Sequence, residues 1–205
     1  MQLLEEIAKF YNFMGSLVCH QRPERTLFVG GRYLPVCARD TGAFLGLLLG
    51  YAVLLSLHKK EAKGPPHLIL TLAMLIPMLV DSFGQMLGFW ISTNDIRLMT
   101  GLLFGAALAP FLIYAISLVP FGTKIPILKK MLVKDANADD RNACLGLREL
   151  GLGVILSGAL FVSVKLVVNT DFSLFYWVLS TSLVAVIIWH IFVLPLVLLV
   201  AILKK

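Results

Sequence analysis

Cys19, His20, Cys37 and Asp40 bring soft sulfur, imidazole and carboxylate into one stretch of chain just ahead of a long apolar run. These are the donor types of divalent metal sites, zinc foremost. Cys37-x-x-Asp40 is a workable ligand turn, whereas adjacent Cys19 and His20 reach one ion together only if the backbone bends between them. The same thiols fit two other roles: a Cys19–Cys37 disulfide in an oxidising compartment, or small buried apolar groups. No repeated Cys-x-x-Cys framework decides among the three.

A second constellation begins at Asp81 and Gln85, four residues apart and so on one helix face, and continues through Ser92, Asn94, Arg97 and Thr100. By helical rise Asp81 falls about 13 Å below Trp90, near mid-membrane, where a carboxylate costs about 2.5–3.5 kcal/mol. It must then be neutral, face a wet cavity, or pair with a cation such as Arg97 or Lys165. Asp81 and Gln85 are the candidate catalytic pair, with Asp81 as acid or base. Arg39, Asn94 and Arg97 are the candidate substrate-binding residues, the two arginines holding an anion. Lys165 either snorkels to the surface or pairs. His190, about 24 Å from that surface by helical rise, reads as a packing histidine.

The elements that must position these groups are membrane helices. Of 205 residues, 59% are hydrophobic and 15% charged, with a mean hydropathy of +0.88. That balance excludes a water-soluble single domain, a disordered chain and a disulfide-dense secreted scaffold. The fold class is all-α: a polytopic membrane helical bundle of about five transmembrane helices plus an N-terminal amphipathic helix. The spans are expected at about 41–58, 67–90, 97–119, 149–169 and 174–202. Leu3, Ile7, Phe10, Met14 and Leu17 recur at helical spacing and predict an interfacial helix over residues 1–18. Its Glu5, Glu6 and Lys9 do not fit a signal peptide, so this helix is expected to be retained. Between it and the first span, two prolines and Gly30-Gly31 predict an irregular structured loop.

The whole of 1–205 reads as one integral membrane domain. Residues 1–40 form the interfacial helix and Cys/His loop, 41–119 a three-helix core, 120–148 a polar connection, and 149–205 two further helices. Gly42, Gly46 and Gly50, then Gly84 and Gly88, then Gly101 and Gly105 form four-residue ladders that let helix backbones approach closely. Pro77, Pro110 and Pro195 fall inside spans and predict kinks.

Five spans place the N-terminal segment and the turns near 91–96 and 170–173 on one membrane face, with 59–66, 120–148 and the C-terminus on the other. The first face carries six Lys and Arg and the second eleven, so the positive-inside rule puts the C-terminus in the cytoplasm and the Cys/His loop outside. Helix starts on the loop face, with Asp40-Thr41 and Thr93-Asn94 as expected caps, aim positive dipole ends at Arg22, Arg25, Arg39 and Arg97. Such a place suits a phosphate or carboxylate, though nonspecific lipid contact would also occupy the arginines. On the other face, 125–132 reads as a basic interfacial segment. Asp135 to Asp139 imitates a calcium loop, but Asp140 and Gly146 stand where glycine and glutamate are needed, so it is read as a solvated connection. Cys144 is a lone thiol with no assigned role.

The runs Cys19-His-Gln-Arg-Pro-Glu-Arg25, Leu34-Pro-Val-Cys-Ala-Arg-Asp-Thr-Gly42, Asp81-Ser-Phe-Gly-Gln85 and Ser92 through Gly101 resemble a family of small multispanning prokaryotic membrane proteins of unknown function. The resemblance covers about residues 19–105. It implies a membrane bundle and no reaction. In that family the position of Asp40 is usually a third cysteine, giving Cys-His-Gln-x-Pro-Glu-Arg and Pro-Val-Cys-Ala-Arg-Cys-Thr-Gly. The exchange to Asp40 gives up a dithiol at that spacing but keeps the capacity to bind a metal.

Together these residues read as an integral, multi-pass cell-membrane protein with a zinc-like site at one face, serving metal-dependent chemistry on an anionic lipid-like or small polar substrate. Two other classes remain open: a carrier or channel using Asp81 and Lys165 within the bilayer, and a non-catalytic membrane assembly protein. The partners expected are the lipid bilayer and an anionic lipid or small-molecule ligand. No basic run interleaved with aromatics calls for nucleic acid, and the sequence names no protein partner.

Overall fold

The computed structural model of the chain describes residues 2–57, 63–118, 132–133, 136–137, 142–168, 170–195 and 199. The calcium-loop-like segment and the basic 125–132 segment lie mostly outside the described residues, as do 59–62 and the C-terminal lysines.

Helix α1 (Gln2–Ser16) is followed by a short 3-10 turn (Pro23–Arg25) and an antiparallel hairpin of β1 (Thr26–Val29) and β2 (Arg32–Cys37). Then come α2 (Ala38–Leu57), α3 (Leu68–Met86), α4 (Asn94–Ser117), α5 (Leu147–Val168) and α6 (Ser173–Ile188), the last running into a π-helical turn (Trp189–Val193). Among the described residues, five helices are long and apolar enough to cross a membrane: α2, α3, α4, α5 and Ser173–Phe192. The fold is the expected helical bundle with a two-stranded sheet added to it.

That hairpin replaces the expected irregular loop. Gly30 and Gly31 both take positive φ (55° and 81°), which gives a two-residue turn the twist the flanking strands need. Val29, Leu34 and Val36 are buried against the bundle, while Phe28 and Tyr33 pair across the outer face with ring centroids 5.0 Å apart. Pro35, a poor residue for a central strand, is tolerated in a sheet with only two strands, both of them edges. The Gly30 end docks on the α5–α6 turn, where a Cβ would stand 2.7 Å from the Ser173 Cα.

Helices α2 and α4 form the tightest seam of the bundle. A Cβ on Gly42 or Gly46 would lie 2.3 Å from the Leu98 or Leu102 carbonyl oxygen, and one on Gly105 would lie 2.0 Å from that of Ala43. With lipid on the outside there is no hydrophobic drive to join helices, so this backbone contact and its dispersion energy must do so. The ladder expected on α3 does not form. Gly84 instead receives the Trp90 ring, whose Cζ2 would lie 2.1 Å from a Cβ, and Gly88 lies past the helix end at φ 78°. A left-handed glycine just beyond a C-cap terminates a helix, which is why α3 stops at Met86 and not near 90.

Helix α1 lies on β2 and α6, tied by the Tyr11 Oη–Thr181 Oγ1 bond of 2.7 Å and by Gly15 against the Pro35 carbonyl. The expected apolar stripe divides. Met14 turns into the core, whereas Leu3, Phe10 and Leu17 are joined by Phe13 on an exposed face. At the other end of the bundle, Gly64 pairs with Ala143, His67 caps α3 through Leu70 N–H, and Ser117 Oγ accepts from Val133 N–H at 3.0 Å. Both α3 and α4 continue through Pro77 and Pro110.

The seam makes a direct prediction. Gly46→Ala should lower the stability of the detergent-solubilised protein by about 1–3 kcal/mol, as overpacking does. Gly158→Ala on α5, where nothing lies within 4 Å of the added Cβ, should be neutral or slightly stabilising. Thermal unfolding of the two variants side by side checks this, and equal losses would contradict a special role for the α2–α4 contact.

Candidate functional site

The polar residues gather where the hairpin, the start of α2, the end of α3 and the start of α4 converge. Helix α1 closes with Cys19 N–H donating to the Gly15 carbonyl at 2.9 Å. Gln21 then takes a left-handed φ of 52°, and its side-chain amide donates to the carbonyls of Asn12 and Pro35 at 2.6 and 2.8 Å. This clamp turns the chain back so that Cys19 meets the end of β2. Cys37 N–H donates to Cys19 Sγ at 3.2 Å, and Cys37 Sγ donates to Asp40 Oδ2 at 3.2 Å. Asp40 sits in the first turn of α2, facing Cys37, and is not its cap.

The sulfurs of Cys19 and Cys37 and a carboxylate oxygen of Asp40 all lie within 4.8 Å of one another. Cys19, Cys37 and Cys144 are free thiols. His20, whose side chain is exposed, does not join the set of three. It lines the same cleft, of about 280 Å³, which Arg22, Arg25 and Arg39 also line. The one S–H proton of Cys37 faces two acceptors, Asp40 Oδ2 and Cys19 Sγ, and its sharing sets the two thiols apart. Donation from the Cys37 thiol pulls Cys19 below the ordinary thiol pKa, against the effect of burial. Cys37 is pushed up by that same bond, by burial and by the nearby Asp40 charge. Cys144 is raised by burial to about 11.

Asp81 is buried, at 4% exposure, and its partner is Arg39, whose Nη2 donates to Oδ2. Neither of the cations expected from sequence, Arg97 and Lys165, pairs with it. Trp90 Nε1 donates to the other carboxylate oxygen at 3.4 Å, Gln85 Oε1 lies 3.5 Å from Arg39 Nη2, and Ser92 faces the same carboxylate. Because α3 ends at Met86, Asp81 stands only about 8 Å of helical rise from that end, not near mid-membrane. Thr93 Oγ1 caps α4 by accepting from Ile96 N–H at 3.3 Å. Asn94 Oδ1 accepts from Arg97 Nη1 at 2.8 Å, and Asn94 Nδ2 donates to the Glu24 carbonyl at 3.4 Å, joining α4 to the 3-10 turn.

Lys165 bonds Asp95 at 2.7 Å on the exposed surface. His190 is remote from the thiols, with Nδ1 donating to the Val186 carbonyl at 2.8 Å and Nε2 left to accept from Tyr51 Oη at 2.7 Å. The sequence reading missed Gln21 and Trp90. The signal for Trp90 was Gly84 six residues earlier, a notch with no side chain beneath the ring.

A family model described as "Predicted membrane protein (DUF2085)" matches residues 19–111. An uncharacterised protein of Methanocaldococcus jannaschii is 34% identical over 109 residues, covering 50% of this chain and 70% of the relative. An uncharacterised protein of Methanothermobacter thermautotrophicus is 39% identical over 94 residues, covering 45% of this chain and 81% of the relative. No solved structure matches. The family match runs from Cys19 through most of α4, so it contains both constellations and leaves α5 and α6 outside.

The unequal thiols set an order of reaction. In chelator-treated protein, iodoacetamide should modify Cys19 first, its rate rising through a pH below the ordinary thiol value, while Cys37 stays unmodified. Removing the donor with Cys37→Ala should move the Cys19 profile to higher pH. Mass spectrometry of peptides across a pH series checks this, and labelling of Cys37 ahead of Cys19 would contradict it.

Proposed function

The chain belongs to the DUF2085 family of predicted membrane proteins, and on that premise we propose that it is a metal-dependent membrane protein acting on an anionic lipid-like or small polar substrate. One observation carries the reading: two free thiols and a carboxylate, drawn from separate segments, converge within 4.8 Å inside a cleft lined by arginines. The donor set fits a zinc-class ion. Two sulfurs and one oxygen at this separation match three corners of a tetrahedral site and leave the fourth position open, as sites that do chemistry require. His20 lines the same cleft and is the further donor of zinc-ligand type there. Bound there, a divalent ion supplies Lewis-acid polarisation of a ligand oxygen or a more acidic water.

The chain's own residues divide the remaining work. Arg39 and Arg97 hold the anion, and Asn94 orients Arg97 through its amide oxygen. Asp81 is the acid–base group, and Gln85 steadies Arg39 beside it. The excess of Lys and Arg on the opposite face supports placing the thiol cleft outside and the C-terminus in the cytoplasm.

Metal analysis of the detergent-purified full chain tests the reading. About one zinc-class ion per chain is expected, with loss in Cys19→Ser and in Cys37→Ser and weakened retention in Asp40→Ala. Absence of stoichiometric metal from the wild-type chain, or its retention in both serine variants, would overturn the proposal.

A further inference from the structure

Arg97 is 5% exposed and forms no ion pair among the described residues. Its one side-chain acceptor among the described residues is neutral Asn94. The charges acting on it are mainly of its own sign, Arg25 and Arg39, with Asp81 as the opposing group. Asp81 is already engaged by Arg39 and Trp90. The Nε–H of Arg97 and the Nε–H of Arg39 are both buried with no acceptor among the described residues. Native interiors seldom leave such donors unmatched, and least of all on charged groups.

Arg25 and Arg39 line the cleft, and Arg97, on the neighbouring helix, lies close enough for their charges to act on it, so the two orphaned donors belong to one positively charged region. From the geometry of that region we infer that Arg97, Arg39 and Arg25 form a subsite for a phosphate oxyanion, carried by a lipid headgroup or by a free phosphate ester. This rests on the proposed reading of the cleft as an anion-handling site and names the chemical class of its ligand. A phosphate carries two terminal oxygens as a diester and three as a monoester, set tetrahedrally so that guanidinium groups can approach from different directions, whereas the two oxygens of a carboxylate lie in one plane. The α4 start adds free backbone N–H groups beside Arg97. Phe89 and Ile91, at 72% and 91% exposure in the turn beside the chamber, give an acyl chain an apolar approach to it.

The experiment has two arms on the full chain. Binding of inorganic phosphate is measured by calorimetry in detergent. Retention of phosphatidylglycerol over phosphatidylcholine is measured by native mass spectrometry from mixed nanodiscs. Arg97→Gln should weaken binding at least tenfold in one arm or both, and Arg25→Gln, on a half-buried side chain, about threefold. The Arg25 variant decides the matter if Arg97→Gln fails to fold. Loss confined to the lipid arm assigns a headgroup, and loss confined to the phosphate arm assigns a soluble ester. No binding by the wild-type chain in either arm, or unchanged binding in the folded variants, would overturn the inference. Metal content is read on the same samples. An Arg97-dependent phosphate signal in a chain that holds no metal keeps this subsite and removes only the metal reading.

Discussion

Direct contact between the backbones of α2 and α4 is the constraint from which the rest of the structure follows. A glycine inside a helix costs about 0.5–1 kcal/mol relative to alanine, and the seam accepts that cost repeatedly at Gly42, Gly46, Gly50, Gly101 and Gly105. What it gains is proximity. A Cβ on Gly101 would lie 2.3 Å from the Arg39 carbonyl, so the first turn of α2 is pinned beside the first turns of α4. Arg39 and Arg97 become neighbours for that reason, and of the two only Arg39 finds a carboxylate partner, Asp81, among the described residues.

The hairpin and α3 complete the chamber from opposite sides. Because β2 runs straight into α2 with no intervening loop, Cys37 at the strand end and Asp40 in the helix face each other. The Gln21 clamp then returns Cys19 to the same point. Helix α3 packs mainly on α4, and Asp81 reaches across to Arg39. A buried ion pair of this kind adds little to stability over a well-packed apolar pair, whereas breaking one side of it costs about 3–5 kcal/mol. Its consequence here is placement: it fixes the guanidinium of Arg39 between the thiol cleft and the start of α4.

Much of this was legible in the sequence, for stated reasons. Uncharged runs longer than a bilayer crossing, and small residues every four positions on the first and third spans, mark the bundle and its seam without reference to any partner. The donor types at Cys19, Cys37 and Asp40 were readable as a set. His20 was grouped with them by donor type despite its awkward position next to Cys19, and its exposed side chain lies outside the set of three. The hairpin escaped because Pro35 and the adjacent glycines carry the same signal as an irregular loop, and only burial of Val29, Leu34 and Val36 distinguishes them. The end of α3 escaped because Gly88 fits both a packing ladder and a helix stop. The partner of Asp81 was not readable, since Arg39 lies 42 residues away along the chain and only the fold brings its helix end alongside α3.

The most direct test is a double-mutant cycle on Arg39 and Asp81, measuring the unfolding free energy of the full chain in detergent for Arg39→Gln, Asp81→Asn and the pair. A shared chamber requires that the two positions couple by about 1–3 kcal/mol, with the double variant losing less than the two single losses combined. Additivity within about 0.5 kcal/mol would mean that α2 and α3 do not meet there, and would contradict the account.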